Sequence, residues 1–121
     1  MIFGIGCDLC EIDRIDKAGD RFCERYFTEN EQKLFDAKKK NKPQTVAANF
    51  AVKEAFGKAL GTGVRGFGLE DVEVLRNEAG KPYINPLGSA KKICDEFQIT
   101  GIFVSVSHTK NLAMAYVVLE R

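Results

Sequence analysis

A chain of 121 residues, 45% of them hydrophobic, is long enough to bury one core and is read as a single domain over 1–121. With 18 Lys and Arg against 17 Asp and Glu, the formal charge of +1 excludes any bulk attraction to nucleic acid or an anionic membrane. No apolar stretch approaches the roughly 20 residues of a membrane span, and the opening residues lack a secretion signal, so the expected location is cytoplasmic.

Residues 2 to 9 read as a strand, with Gly4 and Gly6 marking a bend or a close approach by another group. Asp8 follows an apolar opening, where a bare carboxylate is costly unless a cation partners it. Leu9, Ile12 and Ile15 recur every third residue and predict a helix over Glu11 to Lys17, with a second short helical piece from Arg21 to Tyr26. Thr28 and Glu31 form a capping box, so a helix is expected from Glu29 to about Lys39. The basic run Lys38-Lys39-Lys40-Asn41-Lys42 and the polar residues to Gln44 read as a solvated connection.

Ala48, Val52, Ala55 and Ala59 then lie on one stripe of a central helix that stops at Gly61, with Ala51 and Phe56 widening the stripe. Phe50, Glu54, Gly57, Lys58 and Gly61 share a neighbouring stripe. Gly57 costs up to about 1 kcal/mol inside a helix, which is tolerable where something must approach the backbone closely. Beyond the glycine-rich loop Val64 to Gly68, a strand is expected over Leu69 to Arg76 and a turn over Asn77 to Pro82. Tyr83 to Asn85 returns as a partner strand, and Pro86 introduces a helix over Leu87 to Phe97. Residues 102–107 and 112–119 close the chain as a hairpin. This order is not a regular βαβ alternation, so the expected class is α+β.

Magnesium takes oxygen ligands, keeps several waters and is usually held by one or two carboxylates plus substrate phosphates. Asp8 and Glu54 suit that count. Glu54 and Lys58 also read as an ordinary helix pair contributing about 0.3 to 0.5 kcal/mol. Lys53, Lys58 and the amides around Gly61-Thr62-Gly63 can gather phosphate oxygens. There is no lysine-hydroxyl pair of a P-loop, and Gly4-Ile5-Gly6 lacks the third glycine of a dinucleotide fingerprint. His108 is the only histidine, either structural or a donor to a phosphate. Cys7, Cys10, Cys23 and Cys94 fit a reducing compartment, and Cys7-Asp8-Leu9-Cys10 has half the spacing of a zinc site without a second half.

Four blocks then combine: Ile5-Gly6-Cys7-Asp8-Leu9 with Arg14-Ile15; Phe50 through Gly63, with its F-x-x-K-E-A-x-x-K-A-x-G-T-G pattern; Gly80-Lys81-Pro82; and Val106-Ser107-His108-Thr109. In order and spacing they resemble the 4'-phosphopantetheinyl transferases, closely the small bacterial type that modifies acyl carrier protein. The resemblance implies an antiparallel sheet with a long central helix, and transfer of 4'-phosphopantetheine from coenzyme A to a carrier-protein serine in support of fatty acid biosynthesis. It implies Asp8 and Glu54 as magnesium ligands, Lys58 on the phosphates, and Asp8, Glu54 and Lys58 as the catalytic set. Lys58, Gly61, Thr62, Gly63, His108 and Thr109 would then bind coenzyme A, and Arg14, Arg21 and Arg25 would dock the acidic helix of the carrier. A homotrimer is implied, with each site between two protomers.

Two positions depart from the family's pattern. Asn49 stands where relatives often carry a basic residue, which bears on one phosphate or carrier contact. Cys7 and Cys10 flank Asp8 in place of aliphatic or hydroxyl residues, which opens the site to oxidation. Two rival readings are a non-catalytic module binding acidic proteins or nucleotides, and a zinc-stabilised scaffold.

Overall fold

The computed structural model describes residues 1–121. Strand β1 (Ile2–Glu11) is followed by helices α1 (Ile12–Lys17), α2 (Gly19–Tyr26), α3 (Glu29–Lys38) and α4 (Lys42–Leu60). The hairpin β2 (Val72–Arg76) and β3 (Pro82–Pro86) comes next, then α5 (Gly88–Glu96), β4 (Gly101–His108) and β5 (Leu112–Glu120). β5 lies between β1 and β4, antiparallel to both, and β2 and β3 form a separate antiparallel pair. The class is α+β, an antiparallel sheet with a long helix across it.

Alternation along β5 explains the layering. Ala113, Ala115, Val117 and Leu119 point inward and are buried, while Met114, Tyr116 and Val118 face the other side. Four small or branched side chains make a shallow floor, and α4 lies on it with Ala51, Val52, Ala55, Phe56 and Ala59 in one buried cluster. Gly4 and Gly6 let the helix approach further. A Cβ at Gly4 would collide with the carbonyl oxygen of Ala59, and one at Gly6 with that of Ala55. These are the glycines expected at a close approach.

At its far end α4 stops in a left-handed cap at Gly61 (φ 82°), and the chain turns back so that Gly63 N–H donates to Gly57 O at 3.0 Å. A Cβ at Gly57 would stand 2.6 Å from the Gly63 oxygen, which accounts for a glycine within the helix. The capping box holds as expected: Glu31 N–H donates to Thr28 Oγ1, and Thr28 N–H to Glu31 Oε1, each at 3.1 Å.

Several boundaries differ from expectation. β1 continues to Glu11, because its pairing with β5 runs on to Leu112. The connection expected to reach Gln44 is a short 3-10 turn, Lys39–Asn41, since Pro43 suits the first turn of α4. Leu69–Asp71 forms a 3-10 turn rather than strand. Asp71 there accepts from Ser89 N–H at 3.0 Å and so closes the open end of α5, which begins after Pro86 has ended β3.

Candidate active site

Asp8 projects from the inner face of β1 toward the last turns of α4, which present Glu54 and Lys58 on one stripe. Lys58 Nζ donates to Asp8 Oδ1 at 3.1 Å, so the lysine turns to the sheet instead of pairing with Glu54 one turn back. The Glu54 carboxyl is held above its usual range, first by burial and then by the neighbouring charge of Asp8, with Lys58 pulling the other way. Two carboxylates therefore repel across the helix-strand contact. They border a cleft of about 1050 Å³, whose walls include Phe50, Arg14, Lys110 and Asn111.

This donor set fits a hard divalent cation. It offers two carboxylates from rigid elements, an unfavourable excess of negative charge, and an open cleft on which water or phosphate oxygens can complete a shell. The half zinc site does not form: three residues apart on a strand, Cys7 and Cys10 point to opposite faces of β1. Cys7 is exposed. The Cys10 thiol is pushed up to about 11 by burial, and then by Asp8, and donates to Ala47 O at 3.2 Å. It stays protonated at neutral pH, which lowers the reactivity of this one of the two thiols flanking Asp8.

Lys53 corrects a reading of the sequence. Proposed as a phosphate contact, it is fully buried, with Nζ donating to Glu31 Oε1 at 2.7 Å, Val72 O at 2.6 Å and Leu69 O at 3.0 Å. Its three protons are all used inside the fold. Asn49 is also internal: its amide donates to Glu31 Oε2 at 3.0 Å and Val74 O at 2.9 Å, so no phosphate or carrier contact is open to it.

The remaining candidates divide between surfaces. Gly61 and Gly63 are exposed just past α4, with Thr62 Oγ1 donating to Gly63 O at 2.9 Å. His108 ends β4 and borders a different hollow, about 290 Å³, with Lys38, Gln44 and Arg76. Thr109 Oγ1 accepts from the amides of Asn111 and Leu112 and shapes the β4-β5 turn. Arg14 lies on the cleft wall, and Arg21 and Arg25 are exposed on α2, beside the cluster of Phe22, Tyr26 and Phe50. Arg76 was not singled out from the sequence. Its guanidinium is partly desolvated, lies near Glu31, and bonds only the adjacent Leu75 carbonyl. Nothing in its local sequence distinguishes it from a strand-end arginine.

A long helix laid on an antiparallel sheet, with a carboxylate of each bordering one open cleft and a lysine of the helix paired to the strand's carboxylate, is the frame of a small α+β transferase. The family model of the 4'-phosphopantetheinyl transferase superfamily matches residues 4–117. The chain belongs to that superfamily and is an enzyme, a phosphopantetheinyl transferase. The holo-[acyl-carrier-protein] synthase of Alkaliphilus oremlandii is 47% identical over 118 residues, covering 95% of this chain and 96% of that one. Among solved structures, the holo-[acyl-carrier-protein] synthase of Neisseria meningitidis superposes with a TM-score of 0.90 at 32% identity, over 100% of both chains. The Helicobacter pylori synthase, solved in complex with coenzyme A, gives 0.83 at 32% identity over 96% of this chain and 99% of that one.

Proposed function

We propose that this chain, as one domain over 1–121, transfers 4'-phosphopantetheine from coenzyme A to a serine of apo acyl carrier protein and releases adenosine 3',5'-bisphosphate. The convergence of Asp8, Glu54 and Lys58 at the cleft carries the reading. Relatives named as holo-[acyl-carrier-protein] synthases, one of them crystallised with coenzyme A, supply the substrate class.

Asp8 and Glu54 are the side chains that would hold magnesium. When bound, the ion neutralises pyrophosphate charge and the charge that grows on the leaving oxygens. Lys58 supplies a mobile cation to the phosphoryl oxygens. The serine oxygen forms a bond to the β-phosphorus, the bond from that phosphorus to the bridging oxygen breaks, and adenosine 3',5'-bisphosphate leaves. Glu54 takes the serine proton, directly or through a water. Of the amides from Gly61 to Gly63 expected to gather phosphate oxygens, those of Gly61 and Gly63 close the helix end on Lys58 O and Gly57 O, which leaves the Thr62 amide for the substrate.

Arg14, Arg21 and Arg25 dock the carrier. Residues 11–26 also carry Glu11, Asp13, Asp16, Asp20 and Glu24. Net charge therefore provides no attraction, and recognition rests on where the arginines stand relative to the aromatic cluster of α2.

The enzyme works as a homotrimer with sites between protomers. In support, one chain keeps Asp8 and Glu54 on one cleft and His108, with Lys38 and Arg76, on another hollow. A second copy would bring the two together around one coenzyme A. The enzyme acts in the cytoplasm, in fatty acid biosynthesis. The deciding experiment is the intact mass of apo acyl carrier protein after incubation with enzyme, coenzyme A and magnesium. A gain of one phosphopantetheinyl group that chelator abolishes is expected; no gain from folded enzyme would leave a binding module.

A further inference from the structure

The ion pair between Lys58 and Asp8 has a role that positioning alone does not require. Asp8 is the more enclosed partner, with 19% of its side chain exposed against 56% for Lys58. Asp8 is fixed by its place in β1, which pairs residue by residue with β5, whereas the lysine is a long chain anchored in the last turn of α4. Two carboxylates and one ammonium thus share a small space, and only the ammonium can leave it without moving the backbone. Glu54, next to them, has no hydrogen-bonding cation of its own, since Lys58 Nζ bonds Asp8.

Resting on the metal reading above, we infer that Lys58 is a resident counter-cation for Asp8, exchanged for the divalent cation when that ion binds. Cation entry and lysine release are one event. The pairing lowers the cost of two adjacent carboxylates in the metal-free protein, and it weakens cation binding by the same interaction, as linkage requires. Release then frees the ammonium for phosphate oxygens only when the cation is in place. Without the cation the ammonium is tethered to Asp8 through one of its three protons, which biases it away from coenzyme A phosphates.

The test is manganese binding, read by electron paramagnetic resonance with no substrate present, in wild type, Lys58→Met, Lys58→Arg and Lys110→Met. A unit charge about 4 Å away at protein-surface dielectric is strong enough that losing it should tighten binding by at least about tenfold in Lys58→Met. Lys58→Arg, which keeps a cation in reach of Asp8, should stay close to wild type. Lys110→Met removes a cation from the same cleft that makes no ion pair, and should change affinity less than about twofold if general electrostatics is minor.

Equal tightening in Lys58→Met and Lys110→Met would overturn the exchange, as would unchanged or weaker binding in Lys58→Met. Absence of manganese binding in all four proteins would also overturn the exchange, which needs the cation to enter without substrate, while the chelator arm of the carrier assay tests the metal reading separately. A second readout is acetylation of lysines followed by mass spectrometry. Magnesium should speed labelling at Lys58 and leave Lys33 unchanged, and Asp8→Asn should speed Lys58 labelling without magnesium. Labelling of Lys58 indifferent to both would sink the proposal even if the affinities behaved as expected.

Discussion

Glu54 stores an instability that binding can use. Its carboxyl is raised by burial and by the Asp8 charge, so the folded protein holds that proton more tightly than the unfolded chain does. The sign follows directly: ionised Glu54 costs stability, and the cost appears as pH rises from the ordinary carboxylate range through the raised folded value. It is therefore larger at neutral pH than in the ordinary carboxylate range. Glu54→Gln should therefore raise the melting temperature of the metal-free protein at pH 7, lose that advantage near pH 4, and reduce transfer by about two orders of magnitude or more if Glu54 is the base. Thermal melts at the two pH values check the first part, and the carrier mass assay the second. A variant that is destabilised at pH 7 would mean that the carboxylate has a favourable partner in the metal-free fold.

Helix α4 sets the geometry of the site, and its rotation is fixed from a buried face about 100° around the helix from Glu54. Buried Lys53 ties it to the capping box of α3 through Glu31, and to the carbonyls of Leu69 and Val72 beside β2. Burial pushes Glu31 up and Lys53 down, and each charge pulls its partner back. Removing one member strands the other, so Lys53→Met should cost about 3 to 5 kcal/mol. Lys53→Met with Glu31→Gln should cost clearly less than the sum of the single changes in urea unfolding; additive losses would mean that the two charges do not compensate each other.

Much of this helix was legible in the sequence. The alanine stripe, the stop at Gly61 and the Thr28-Glu31 box are local signals with local causes. Glu54 and Lys58 were legible as a stripe, and Asp8 as a carboxylate in an apolar setting. Lys53 was not, because its partner lies 22 residues away in the chain and its neighbour Glu54 invites the same functional reading. The available clue was breadth: apolar and small residues surround so much of α4 that Lys53 has no route to solvent. The 3-10 turn at Leu69–Asp71 was hidden for a related reason, since Asp71 serves a helix that begins 17 residues later.

On the molecule as a whole, the side of the sheet away from α4 is covered by nothing. Ile5 and Leu9 of β1, Tyr116 of β5 and Phe103 of β4 are exposed there, with Met114 and Val118 half-buried between them. In the register, Ile5, Val118 and Phe103 form one cross-strand row, and Leu9 and Met114 belong to another. A contiguous apolar sheet face is expensive to leave in water, and its burial against further copies is what the proposed trimer would supply. The double variant Tyr116→Lys, Phe103→Asp places charges on this face while leaving the inner core unchanged. On the proposed trimer, sedimentation should fall from about three protomers toward the 13.5 kDa of one chain, with the circular dichroism of the fold retained. Transfer activity should fall with it, because His108 and the Asp8 cleft of different copies would no longer meet. Full activity from the dissociated chain would instead locate the whole site within one protomer, and an unchanged mass would assign the face to another partner.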